Sequence, residues 1–257
     1  LSAGMEKLKP VLFPILAEVL RADGQTIDGI YERNDEALRA KEGLEQNKGW
    51  FELSGETHPD STQTEIRENG VYYHVDFENG QKTGFFLDQK ENRAAIAPFV
   101  KGKTVLDCFT HTGSFALHAG HYGAKEVTGV DISAFACEFA TENARLNGLE
   151  NVVHFVEANA FDLLAEQSRA GVKYDVVILD PPAFTKTRSA IEAATRGYKE
   201  INLRAMKMVK PGGYLITCSC SQHILPDAFM QIVRDAAHDA HVQLRQVEYR
   251  TQGRDHP

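Results

Sequence analysis

The rhythm of apolar and polar positions changes near residue 90. Before it the pattern is mixed. Pro10-Val-Leu-Phe-Pro-Ile-Leu-Ala-Glu-Val-Leu20 reads as an amphipathic helix over about 10–22. Ile30–Arg33 has the composition of a short strand. A second short helix is expected near 35–42, with Asp35 as its cap, and strands near 49–53 and 65–77. Glu78-Asn79-Gly80 carries turn residues that would close the last of these as a hairpin. From residue 90 onward, apolar strands (104–108, 126–131, 152–157, 174–180 and 213–218) alternate with helical segments (114–122, 133–147, 160–170 and 197–209). A last helix over 227–241 and a strand over 242–249 follow. Strand–helix alternation of this kind predicts an α/β fold with a doubly wound, mostly parallel sheet. The expected domains are therefore a small α+β domain at 1–85 and the α/β domain at 86–257.

Composition narrows the class. With 42% hydrophobic and 25% charged residues, the chain can bury a core and has the balance of an ordinary soluble protein. No apolar run approaches the roughly 20 residues of a membrane span. A secretory leader is not recognisable either. The chain starts without Met and stops within what reads as a strand-to-loop passage, so a fragment is expected. No spacing among the four Cys and ten His matches a zinc site, so no metal is expected. Reduced thiols point to a cytoplasmic setting. The net charge of −8 is unevenly spread: residues 1–80 carry 8 Lys+Arg against 16 Asp+Glu, and the remainder balances. Residues 181–211 hold seven positive charges against Glu192 and Glu200, which suits an anionic partner beside them as well as a solvated helix face.

In a doubly wound sheet, ligands bind beyond the carboxyl ends of the strands, and this chain places polar residues there four times. Val105-Leu-Asp107-Cys-Phe109-Thr-His111-Thr112-Gly113 ends a strand in Asp and turns into a helix. It resembles the methyltransferase pattern D-x-G-x-G-x-G with Phe109 and His111 at the first two glycine positions. Gly113 would let backbone approach a ligand closely. Asp131 ends the next strand, where an acid can accept from both ribose hydroxyls of a nucleotide cofactor. Asn159 follows the third, with an amide oxygen able to accept from an adenine amino group. The fourth runs into Asp180-Pro181-Pro182-Ala-Phe184, whose prolines stiffen the backbone around the Asp180 carboxylate. Together the four favour S-adenosylmethionine over a nicotinamide dinucleotide.

Tyr214-Leu-Ile-Thr-Cys218-Ser219-Cys220-Ser221 brings two thiols to the end of a fifth strand. Cys218 reads as strand core. Cys220, past the apolar run, reads as a nucleophile. Methylating C5 of a pyrimidine calls for such a thiolate, because that carbon is a poor nucleophile until C6 has been attacked.

Gly84-Phe-Phe-Leu-Asp88-Gln89-Lys90-Glu-Asn-Arg93, the 107–115 turn, Asp180-Pro-Pro-Ala-Phe184, Arg196-Gly-Tyr198-Lys199-Glu-Ile-Asn202 and Ser219-Cys220-Ser221 occur in the order found in one family. The chain resembles the RlmI-like 23S rRNA (cytosine-C5) methyltransferases over about residues 5–257. The resemblance implies a seven-stranded Rossmann-like sheet, S-adenosylmethionine as cofactor and large-subunit rRNA as substrate. It also implies an additional RNA-binding PUA domain, which this chain lacks. Carried over, Cys220 and Asp180 are catalytic. Asp107, Phe109, Thr112, Gly113, Asp131, Ile132, Asn159, Ala160, Asp180 and Pro181 line the cofactor pocket. Lys90, Arg93, Pro182, Phe184, Arg196, Tyr198 and Lys199 meet the RNA. No membrane partner is expected, and a homodimer stays open. Three other readings are methylation of a different rRNA atom (guanine N7 or uracil C5), a small-molecule methyltransferase, which the basic 181–211 segment and the N-terminal domain disfavour, and a non-catalytic RNA-binding assembly factor.

Overall fold

The structure is a computed structural model that describes residues 2–34, 38–81, 83–185 and 187–253. By internal contact the chain forms two units, Leu1–Glu65 with Val75–Phe86, and Ile66–His74 with Leu87–Pro257. No helix of the described residues is long and apolar enough to cross a membrane.

The first unit opens with α1 (Ala3–Ala22), which begins a full two turns before Pro10. Ala3–Lys9 is good helix-forming sequence, and Lys9 pairs with Glu6 one turn earlier and with Glu32. The helix therefore tolerates Pro10 and Pro14 in its interior. β1 (Ile30–Asn34) pairs antiparallel with β2 (Asn47–Phe51), and α2 (Leu38–Lys41) lies between them in sequence. The expected cap Asp35 lies outside the described residues. Phe13 meets Phe51 edge-on at 4.9 Å, and Tyr31, Trp50 and Phe77 form a second aromatic group. The expected strand at 65–77 is two strands, β3 (Gln63–Glu68) and β4 (Val71–Asp76). They turn at Asn69-Gly70, whose φ values of 51° and 92° are what a two-residue hairpin turn of the primed type requires. The turn expected at 78–80 forms but closes no hairpin. There the Asp76 carboxylate accepts from the Glu78 and Asn79 N–H groups, a local side-chain turn.

In the second unit, a 3-10 turn (Leu87–Gln89), α3 (Lys90–Ala95) and α4 (Ala97–Val100) lead into the α/β body. That body runs β5 (Thr104–Cys108), α5 (Ser114–His121), β6 (Glu126–Asp131), α6 (Ala134–Leu146), β7 (Val153–Glu157), α7 (Ala160–Arg169), β8 (Tyr174–Leu179), α8 (Ile191–Met208), β9 (Val209–Thr217) and α9 (Pro226–Ala240). The strands are parallel in the order β7-β6-β5-β8-β9. The order reverses between β5 and β8, which places the ligand crevice beyond the carboxyl ends of that pair. Val105, Leu106, Val127, Val130 and Val176–Leu179 are buried on both faces, hence their unbroken apolar runs. α8 starts six residues earlier than Gly197. Gly197 lies inside it, and close packing favours glycine there, since a Cβ would meet the Phe184 ring at 3.2 Å.

The expected seventh strand count is not reached: the sheet has five strands among the described residues. Residues 242–249 have the alternation of a strand but form none, and Leu244, Val247 and Tyr249 are exposed. A strand needs a paired ladder. This segment instead ties itself to the start of the unit, with Gly253 N–H donating to the Asp88 carbonyl and Arg250 to Asn92.

Candidate active site

Asp107 is fully buried at the carboxyl end of β5. Its Oδ2 accepts from Thr110 Oγ1 at 2.6 Å and from the Ala116 N–H at 3.0 Å. Its Oδ1 has no hydrogen-bond partner among the described residues. Burial pushes its pKa up to about 7. The loop that follows takes the left-handed conformation three times, at Phe109 (66°), His111 (52°) and Gly113 (85°). Phe109 and His111 thus keep the backbone of the glycines they replace, at a cost of roughly 1–2 kcal/mol each. Phe109 meets the rings of Phe161 and Phe184. Gly113 answers a packing need as well, since a Cβ would lie 2.7 Å from the Phe155 ring. Thr112 beside it is buried, and its carbonyl accepts from Asn143.

Asp131, at the end of β6, accepts the His111 N–H on Oδ2 at 2.9 Å and the Ser133 N–H on Oδ1 at 3.0 Å. The carboxylate therefore holds the β5–α5 loop and the entry to α6 together. The next residue, Ile132, is exposed. Asn159 is exposed and caps α7, its Oδ1 accepting from the Phe161 N–H. Ala160 is buried behind it.

Asp180 stands one residue past β8. Its Oδ1 accepts from Gln89 Nε2 at 2.9 Å. Burial raises it to about 6, against the lowering influence of Arg93 and Gln89. Asp175, at the amino end of the same strand, is pushed the other way, to about 2, by the Thr104 N–H and hydroxyl and by Lys210. The raised carboxyl lies at the end of the strand where the reversed strand order places the crevice, which makes Asp180 a candidate functional group.

Cys218 departs from the core reading. It is half-buried, and its thiol lies against Asp180 and Gln89. Burial and the Asp180 charge push that thiol well up, which keeps it protonated. Cys220 is exposed, and its Sγ contacts the Pro181 carbonyl at 3.7 Å. The next residue supplies an anchor that was not legible in the sequence. Ser221 is buried, exchanges a hydrogen bond with the Tyr198 hydroxyl at 2.8 Å, and accepts from the Phe184 N–H at 3.1 Å. One hydroxyl thus ties the Cys220 loop to the Asp-Pro-Pro loop and to α8.

The residues expected to meet RNA divide. Lys90 and Pro182 are exposed. Phe184 is half-buried, 4.5 Å from the Tyr198 ring. Tyr198 is fully buried, so its hydroxyl serves Ser221 and presents no surface to a substrate. Arg93 is likewise buried, with Nε and Nη2 on the two oxygens of Glu68 at 2.6 and 3.0 Å. A guanidinium placed so is a structural charge rather than a phosphate contact. Arg196 pairs with Glu192, and Lys199 with Asp239 at 2.7 Å. Around Arg93 lies a buried polar group also missed in the sequence. His118 Nδ1 bonds the Ser114 carbonyl and the Tyr73 hydroxyl, and Asn69 donates to its Nε2. Burial lowers His118 to about 4, so it is neutral.

The reversed strand order and the acids at the ends of β5, β6 and β8 define a Rossmann-like cofactor-binding enzyme. The chain belongs to the S-adenosylmethionine-dependent methyltransferase family, whose model matches residues 45–252. Its cofactor is thus S-adenosylmethionine. A buried carboxylate oxygen without a protein partner, Oδ1 of Asp107, suits that cationic molecule. The chain is 44% identical over 258 residues to the ribosomal RNA large subunit methyltransferase I of Aliivibrio fischeri, covering all of this chain and 63% of that protein. The protein of the same name in Photobacterium profundum is 46% identical over 230 residues, covering 89% and 57%. The chain therefore spans less than two thirds of the length of these relatives. Among solved structures it is similar to a putative S-adenosylmethionine-dependent methyltransferase from Streptococcus mutans (TM-score 0.69, 24% identity, covering 90% and 57%). Another, from Agrobacterium tumefaciens, gives a TM-score of 0.63 at 21% identity, covering 84% and 67%. These two likenesses are of fold.

Proposed function

We propose that this chain is the catalytic part of an rRNA methyltransferase that forms 5-methylcytosine in the large-subunit RNA. The observation that carries this reading is the exposed Cys220 thiol at a strand end, beside Asp180-Pro181 and anchored through Ser221. The name shared by the relatives supports the substrate. Asp107, Asp131, Ile132 and the loop 109–113 would hold S-adenosylmethionine, which would supply an electrophilic methyl carbon. The remaining work falls to the chain. The target base leaves its stack to reach the site. Cys220, as thiolate, adds to C6, and the displaced electron pair makes C5 an enamine-type nucleophile. Asp180, held up to about 6, carries the proton that N3 accepts during this addition. After C5 has been methylated, a base removes its proton, the C5–C6 double bond re-forms, the thiolate leaves and N3 returns its proton.

The test uses 23S rRNA fragments containing 5-fluorocytidine, whose fluorine blocks the final elimination. With S-adenosylmethionine present, the protein is expected to form a denaturant-stable RNA complex. Cys220→Ala should abolish it and lower methylation of normal RNA by at least about a thousandfold, the order of removing a covalent nucleophile. Unchanged methylation by Cys220→Ala would overturn the reading.

A further inference from the structure

Three hydrogen bonds lead away from Asp180 in one direction. Gln89 Nε2 donates to Asp180 Oδ1 at 2.9 Å. Asn92 Nδ2 donates to Gln89 Oε1 at 2.6 Å. Arg250 Nε donates to Asn92 Oδ1 at 3.1 Å. The direction is fixed from the far end. A guanidinium can only donate, so it takes the oxygen of the Asn92 amide. That turns the Asn92 NH2 toward Gln89, takes the oxygen of that amide, and turns the Gln89 NH2 toward the carboxylate. Arg250 is held by Glu248 at 2.6 Å, and the Gly253 N–H on the Asp88 carbonyl docks the segment that carries it.

We propose that Arg250, Asn92 and Gln89 form a polarity-aligned relay that positions Asp180, holding Oδ1 as an acceptor and confining the carboxyl proton to Oδ2. The consequence is base selection, and it rests on the reading above. A proton on Oδ2 matches the bare N3 of cytosine and clashes with the N3–H of uracil. The unpaired C-terminal passage, which forms no strand, thereby acquires a role in specificity. The other groups that face Asp180 are Arg93 from α3, Asp88 from the 3-10 turn, Asp107 from β5 and the Cys218 thiol. None of them is replaced in the Asn92 and Arg250 variants; the carboxylate that Asn92→Asp adds raises the Asp180 midpoint in the same direction as the reversed amide, so the cytosine preference is the readout specific to the relay.

Asn92→Asp reverses the relay. Its carboxylate keeps Arg250 but can only accept from Gln89, whose amide must then turn its oxygen toward Asp180. Arg250→Lys keeps a donor on Asn92 and is the conservative control. The carboxyl titration of Asp180 is read by infrared difference spectroscopy against Asp180→Asn, using the full chain with folding checked by circular dichroism. Methylation of cytosine- and uracil-containing rRNA fragments is followed in parallel. Asn92→Asp is expected to raise the Asp180 midpoint by about one pH unit or more and to shrink the cytosine preference about tenfold, while Arg250→Lys leaves both in place. A folded Asn92→Asp protein with an unmoved midpoint or an unchanged cytosine preference overturns the relay. Absence of rRNA methylation by the unaltered protein would sink the functional reading alone, because the spectroscopic midpoint is measured without RNA.

Discussion

At the scale of single residues, the acids at the strand ends do different work although they are chemically alike. Asp131 has both oxygens on backbone N–H groups, whereas Asp107 keeps one oxygen unpartnered in the core. Held up to about 7, Asp107 retains in the fold a proton that an unfolded carboxyl gives up near about 3.9. Its contribution to stability is thus fully favourable at low pH and is lost as pH rises from about 4 to about 7. A cationic ligand favours the ionised form, so binding of S-adenosylmethionine near pH 6.5 should release a fraction of a proton. Calorimetry in buffers of different ionisation enthalpy reads that release, and Asp107→Asn should remove it. A binding heat independent of buffer in the unaltered protein would sink the idea. These acids were legible in the sequence because each terminates an apolar run. Their environments were not, since burial depends on neighbours such as Thr110 and Ala116 arriving from the far side of a turn. Phe109 and His111 show the same limit. Phe and His at two glycine positions give no sign of the conformation, yet the backbone keeps its left-handed turns and fills the space with an aromatic ring.

At the scale of elements, the site depends on two loops being held in register. Ser221 joins them through the Phe184 N–H and the Tyr198 hydroxyl. Ser221→Ala would leave a buried hydroxyl short of its partner and loosen Cys220 against Pro181. The expected loss is about ten- to a hundredfold in kcat, with cofactor affinity within about twofold, and about 1–3 kcal/mol in stability. Single-turnover methylation and thermal melts check this, and an unchanged kcat would exclude a positioning role. The boundaries of β5, β6 and α7 were readable from apolar rhythm and strand-end punctuation to within a residue. α1 and α8 were read too short, because Pro10 and Gly197 look like punctuation. Flanking helix formers outweigh both. The passage 242–249 was read as a strand for its alternation alone, and alternation does not supply a neighbour to pair with.

At the scale of the whole molecule, the boundary expected between 85 and 86 runs through a structural dependency. The hairpin tip, residues 66–74, belongs by contact to the second unit. It brings Glu68 to buried Arg93, and Asn69 and Tyr73 to buried His118. A chain trimmed to 87–257 keeps Arg93 buried without its counter-charge, which costs about 3–5 kcal/mol, a large share of a domain's total stability of about 5–15 kcal/mol. A chain trimmed to 62–257 keeps the pair. The longer piece should melt cooperatively by circular dichroism and the shorter should not. Equal melts would show that the tip is dispensable. No composition shift marks this arrangement, because the tip is short and mixes polar with apolar residues, and its partners lie tens of residues further on.

The same hairpin sets a timetable for synthesis. Tyr73 and its partner His118 are 45 residues apart. At the usual pace of about 5–20 residues per second, the tip waits roughly 2–9 s on the ribosome for the helix that completes its surroundings. During that interval a carboxylate destined for the interior stands in water, where it is well solvated and costs nothing. An apolar tip would spend the same seconds as a sticky surface. The charged and amide groups of the tip stay solvated through that interval, while Val71 and Tyr73, fully buried in the finished fold, are the surface that waits exposed.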